Sequence, residues 1–91
     1  MTVKQLKCKV QVKNSLGIHT RPATTIVKLL QNSKSNVFFT HKNEKINAKS
    51  ILSILMLAAR KNSKISIEVE GEDAEQTMDT LVKAFENSFG E

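Results

Sequence analysis

The sequence predicts an α+β fold in which an open β-sheet carries helices packed on one face. Three observations lead there. Apolar and polar residues alternate from Leu6 to Val12 and again from Ile65 to Val69, the period of a strand with one buried face. Apolar residues recur at helical spacing after Pro22 and after Asp73, as in helices that bury one stripe. These stretches interleave in the order β-α-β-β-α-β-α, with no internal repeat, low-complexity segment or linker.

The elements follow in turn. In the first strand Leu6, Cys8, Val10 and Val12 point inward, with Lys7, Lys9, Gln11 and Lys13 between them. Cys8 reads as a quiet core residue, and as the only cysteine it leaves no internal disulfide, which fits a reducing cytoplasm. Residues 14–17 form a loop. Pro22 suits the first turn of a helix, where its missing N–H is not needed, and Ala23, Ile26, Val27 and Leu30 make its buried stripe. Residues 37–40 have strand composition, Lys42-Asn43-Glu44 is a turn, and residues 45–48 form a short strand. Residues 51–60 lack alternation and are predicted helical. A further strand ends at Gly71. Asp73 and Gln76 make a capping-box-like pair for the last helix, whose inner face is Ala74, Met78, Leu81, Val82 and Phe85. Strand order is left open by pattern alone, a ferredoxin-like order included.

Ninety-one residues make one domain, residues 1–91. At 40% hydrophobic the chain can build a core, so intrinsic disorder is excluded. Its longest nearly apolar run, residues 51–59, falls far short of a membrane span. The alternating start, MTVKQLKCKV, is not that of a signal peptide. Charge is divided along the chain. Residues 1–67 hold thirteen basic and one acidic side chain, +12, and residues 68–91 hold one basic and eight acidic, −7, which together give +5. One basic face awaiting an acidic partner fits this division better than a uniform nucleic-acid coat. The acidic residues are expected away from that face.

Gly17-Ile18-His19-Thr20-Arg21-Pro22-Ala23 carries the chemistry. Glycine permits a sharp turn and proline fixes the helix just beyond, so His19 stands at a helix N-terminus, where free N–H groups and the dipole favour an anion. Arg21 adds a guanidinium suited to phosphate oxygens. Dipole and arginine both oppose protonation of the ring, and a neutral imidazole keeps a nucleophilic lone pair. These parts describe a phosphoryl acceptor. Alone, the same histidine also reads as a solvent-facing ring or a cap, and Thr20 as the N-cap. The run as a whole resembles the active-site signature of the HPr family, phosphocarriers of the phosphoenolpyruvate-dependent phosphotransferase system, with Thr20 where alanine is common. A second stretch, Ile46-Asn47-Ala48-Lys49-Ser50-Ile51-Leu52, resembles the family's regulatory-serine signature.

The resemblance implies a four-stranded antiparallel sheet with three helices on one face. It implies that His19 accepts phosphate from enzyme I and passes it to EIIA-type proteins, with Arg21 steadying the phosphate. Ser50, by itself an ordinary N-cap, becomes a regulatory site for an HPr kinase/phosphorylase. On the second helix Ile54, Leu57 and Ala58 form one arc and Ile51, Leu52 and Leu55 another; the resemblance makes the second arc a docking patch. Thr20, Lys28 and Lys49 join the docking residues, and His41 reads as plain surface. No cofactor or metal is implied, and the chain is expected to be a cytoplasmic monomer and not an independent enzyme. The opening Met1-Thr2-Val3-Lys4-Gln5, the Leu55-Met56-Leu57 run without a following glycine and the Phe85–Gly90 stretch resemble the nitrogen-related NPr branch. Sugar transport stays open beside it. An RNA-binding domain is the rival class, disfavoured by the absence of Trp, Tyr and any GXXG loop.

Overall fold

The computed structural model describes residues 4–91; of the branch-like opening, Met1, Thr2 and Val3 lie outside them. The elements are β1 (Lys4–Gln11), α1 (Thr20–Leu30), β2 (Asn36–His41), β3 (Glu44–Asn47), α2 (Ile51–Met56), β4 (Lys64–Gly71) and α3 (Ala74–Glu86), followed by a short 3-10 turn, Ser88–Gly90. The four strands lie in the order β1-β4-β2-β3, and every neighbouring pair is antiparallel. The register sets Leu6, Cys8 and Val10 opposite Val69, Ile67 and Ile65, and Val37 and Phe39 opposite Val69 and Ile67. With a side-chain period of two, all of these fall on one face. The three helices cover it. Ile26 and Leu30 of α1, Ile54 of α2, and Leu81 and Phe85 of α3 complete the core, with the Phe39 and Phe85 rings meeting edge to face at 5.7 Å. Among the described residues no helix is long and apolar enough to cross a membrane.

The other sheet face is open and polar. On it Glu68 lies between Lys45 at 2.8 Å and Lys7 at 3.2 Å. Lys45, then Lys7, holds its carboxyl below the usual range.

Three local readings are corrected. Cys8 is half-buried instead of core, because β1 is an edge strand whose inner face is covered from one side only. The second helix stops at Met56 instead of running to residue 60. Leu57 N–H already bonds back to both Ser53 and Ile54 carbonyls, and Ala58 then enters the left-handed region at φ 53°. Glycine usually marks such an end; here alanine occupies it and gives no signal. As a result Ala58 is exposed, and Ala59 is buried in its stead.

Asp73 does occupy the N-cap position of α3, but its side chain caps nothing. Its carboxylate turns back to the loop between α1 and β2. There it accepts from Ser35 Oγ at 2.5 Å and from the Lys34 backbone N–H at 2.9 Å. Ser33 Oγ bonds Thr77 Oγ1 at 2.8 Å. The Ser35 hydroxyl, then the Lys34 N–H, holds the Asp73 carboxyl below its ordinary value.

Candidate functional site

The loop before α1 is fixed by a close backbone contact. Ile18 N–H donates to the Ala59 carbonyl at 2.9 Å. Gly17 has φ 70°, and a Cβ on it would stand 2.3 Å from the Ala59 oxygen and 2.9 Å from Arg60 Cα. Only glycine fits. Ile18 is buried in the core cluster, and the chain emerges at His19.

His19, not Thr20, is the N-cap of α1, with φ −87° and ψ −168°, and its side chain makes no capping bond. Thr20 and Arg21 are the first two helical residues and Pro22 the third. Ala23 N–H is the first to bond back, to the His19 carbonyl at 3.0 Å. Because Pro22 has no N–H, the helix start offers its free donors from His19, Thr20 and Arg21. Ring and amides therefore meet at one helix start, and the Arg21 side chain leaves from the same turn. Arg21 is exposed, and among the described residues its guanidinium makes no hydrogen bond or ion pair.

Beside the ring stands a residue that sequence reasoning missed. Glu91 Oε2 lies 3.1 Å from His19 Nε2. Its other oxygen accepts from Asn14 Nδ2 at 2.5 Å, and Asn14 also donates to the Ser88 carbonyl at 2.8 Å. The placement of the acidic stretch away from the basic face therefore fails at Glu91. The fold delivers this residue: α3 runs back along the sheet, and Phe89 stacks edge to face on Phe85 at 4.8 Å, which turns the following chain toward the loop after β1. Nothing in local sequence pairs Asn14 with Glu91, which are 77 positions apart. Lys13, Asn14, Ser15, Leu16, His19, Ser88 and Glu91 line an open hollow of about 270 Å³. Among the described residues no three His, Cys, Asp or Glu side chains group closely enough to hold a metal ion.

The remaining candidates are distributed along two antiparallel helices. The start of α1 meets the end of α2 through Ile18 and Ala59, and the end of α1 meets the start of α2 through Lys49 Nζ, which donates to the Ser33 carbonyl at 2.8 Å. Lys49 and Ser50 therefore lie at the end of this pair away from His19. Ser50 caps α2, its Oγ accepting from Ser53 N–H at 3.3 Å. Thr20 and Lys28 are exposed on α1. Of the outer arc of α2, Ile51 is 39% and Leu52 65% exposed, whereas Leu55 is half-buried against the core. Two larger apolar surfaces, Met56 at 70% and Leu16 at 78%, were not singled out from sequence. Counting exposed apolar residues near the glycine-histidine loop finds Leu16; Met56 becomes visible once α2 is seen to end there. His41 is only partly exposed, its Nδ1 3.4 Å from the Lys64 carbonyl.

A histidine offered at the surface beside an apolar rim, with only a shallow hollow around it, suits a group handed between proteins. The class so defined is a small open-faced carrier domain. The model of a protein family described as "PTS HPr component phosphorylation site" matches residues 6–87. A phosphocarrier protein HPr of Chlamydia muridarum is 39% identical over 87 residues, covering 96% of this chain and 84% of that protein. The crystal structure of HPr-C-His from Thermoanaerobacter tengcongensis superposes with a TM-score of 0.91 at 32% identity, covering 94% of this chain and 97% of the other. A Bacillus anthracis HPr gives 0.85 at 32%, covering 89% and 96%. The chain belongs to the HPr family of phosphocarrier proteins of the phosphotransferase system.

Proposed function

We propose that His19 is the residue through which this carrier works, taking a phosphoryl group from enzyme I and passing it to a histidine of EIIA-type proteins. The observation that carries this is an N-cap histidine whose side chain caps nothing while Glu91 engages one ring nitrogen. An ionised carboxylate only accepts, so Nε2 carries the proton in that contact and Nδ1 keeps the lone pair. In the transfer, the Nδ1 lone pair attacks phosphorus and the bond from phosphorus to the donor nitrogen breaks, its electron pair returning to the donor ring. The phosphoryl oxygens gain charge-assisted hydrogen bonds from Arg21 and the Thr20 and Arg21 amides. Delivery onward is the same step reversed in direction.

Docking is assigned to a surface that starts at that site and runs along α2. Leu16, Met56, Leu52 and Ile51 supply the apolar contact, and Thr20, Arg21 and Lys28 the polar and basic rim. Basic residues steer an acidic partner in quickly. Ser50, with its hydroxyl half-buried beside exposed Ile51 and Leu52, is the second modification site: a phosphate there adds about −1.5 to −2 charges to the face that the acidic partner meets. Lys49, tied to Ser33, belongs to that end of the surface.

Incubation with enzyme I and phosphoenolpyruvate, followed by intact mass measurement, tests the central claim. Wild type gains one acid-labile phosphate and His19→Ala gains none; equal gain by both removes His19 from the mechanism. For Ser50, an HPr kinase makes an acid-stable adduct on wild type that is missing from Ser50→Ala.

A further inference from the structure

Glu91 and Asn14 form a two-residue support for the His19 ring, and we propose that they are positioning residues for phosphoryl transfer. The inference rests on His19 being the phosphoryl acceptor. Asn14 is buried, only 3% exposed, although it is a polar residue in a loop. Both its N–H groups are committed, to the Ser88 carbonyl at 2.8 Å and Glu91 Oε1 at 2.5 Å, and among the described residues its buried Oδ1 has no partner. A buried amide with an orphaned oxygen costs stability, so its retention calls for a return. That return is the placing of Glu91, whose second oxygen meets His19 Nε2 at 3.1 Å. Ser88 and Phe89 both adopt left-handed backbone, φ 56° and 55°, a conformation that is costly for side-chain-bearing residues. The Phe89–Phe85 contact and the two Asn14 bonds hold the segment in this shape.

The arrangement fixes the ring in two ways. Accepting from Nε2–H sets the tautomer, so that Nδ1 is the nitrogen with the lone pair, and it limits ring rotation about the Cβ–Cγ bond. During transfer the Nδ1–phosphorus bond forms and the donor's nitrogen–phosphorus bond breaks, while the Nε2 proton stays between ring and Glu91. Glu91 touches no reacting atom; it acts through the ring.

The test compares Glu91→Ala and Glu91→Gln with wild type in the full chain, using purified enzyme I and phosphoenolpyruvate. Glu91→Ala lowers the kcat at which enzyme I loads the carrier about tenfold, as expected from loss of orientation, with enzyme I's KM for the carrier unchanged because the docking surface is intact. Glu91→Gln has one acceptor oxygen for the two donors His19 Nε2–H and Asn14 Nδ2, so it is slowed as well, by about threefold to tenfold. NMR of the phosphorylated wild type finds phosphorus on Nδ1 alone, and Glu91→Ala adds the Nε2 isomer. Unchanged kcat in Glu91→Ala, or Glu91→Gln as fast as wild type, overturns the support. A wild type that takes up no phosphate overturns instead the assignment of His19, which the same assay reports separately.

Discussion

The starts of α1 and α2 share a backbone design and put it to different uses. Both N-cap residues are extended, His19 at φ −87°, ψ −168° and Ser50 at φ −104°, ψ 116°. Ser50 spends its hydroxyl on Ser53 N–H, the ordinary way to satisfy an orphan donor. His19 spends nothing on its helix. Its first turn instead contains Pro22, which removes one N–H that would need a partner, and the amides of Thr20 and Arg21 stay available to an anion. A side chain committed to capping is unavailable for chemistry until it lets go. The start of α1 forgoes the cap and keeps its amide donors and the Nδ1 side of its ring clear of its own helix, while α2 is held by its own serine.

The strongest way to break this comparison is to dislodge the loop that presents His19. Gly17→Ala drives a Cβ to within 2.3 Å of the Ala59 carbonyl oxygen at a residue with φ 70°. A loss of about 3 kcal/mol is expected, since rigid backbone must move in addition to the left-handed cost. Urea unfolding reads it as a lower midpoint at unchanged slope.

Next in size is Asp73→Asn, which acts on the third helix start. Its carboxylate accepts from Ser35 and Lys34, and the amide would present a donor where one acceptor stood, costing about 2 kcal/mol. The folded-state pKa is depressed. This contribution is therefore fully present above the unfolded carboxylate value near 4, and it is lost as pH falls through the folded value. Melts from about pH 6 down to about pH 2 should show the gap between wild type and Asp73→Asn closing. A gap that holds constant at low pH would mean that the carboxylate's charge is not what Ser35 and Lys34 require.

Asp73 also shows where sequence stops being legible. Asp73 followed by Gln76 reads as a local cap because the pair is adjacent in the chain, and the residue does stand at the cap position. Its partners are Ser33, Lys34 and Ser35, about 40 positions earlier, and only the packing of α3 beside the α1–β2 loop brings them there. Glu91 at His19 and the left-handed Ala58 that ends α2 were hidden for similar reasons: a long-range contact, and an alanine where glycine would have announced the turn. What was legible depends on short repeats. The period of two in β1 and β4, the stripe of α1 and the glycine-histidine-arginine-proline run each fit within a dozen residues. They set the element order and put His19, Thr20 and Arg21 together at one helix start. The strand order β1-β4-β2-β3 did not follow from them, since pairing between distant strands leaves the same alternation in any order.

Ser50→Ala sharpens the comparison more gently. Removing an N-cap hydroxyl costs about 1 kcal/mol, and α2, only six residues long, has few internal bonds to compensate. Hydrogen exchange should show residues 51–57 opening more readily while α1 and α3 keep their protection.

The smallest expected effect is the most diagnostic. His19→Ala at the equivalent position of α1 should change stability by less than about 0.5 kcal/mol, because the ring caps no N–H and its contact to Glu91 is a partly exposed pair of low net worth. The substitution proposed to abolish phosphoryl uptake would then leave the fold nearly untouched, whereas Ser50→Ala at the matching position loosens a helix. Paired urea titrations of the two variants decide it. If His19→Ala proves as costly as Ser50→Ala, the ring is holding the first turn of α1 after all, and a phosphoryl group arriving on it would have to displace a structural bond. If the two separate as expected, α1 carries His19 at almost no structural cost, and the proposed phosphorylation of its ring leaves stability little changed.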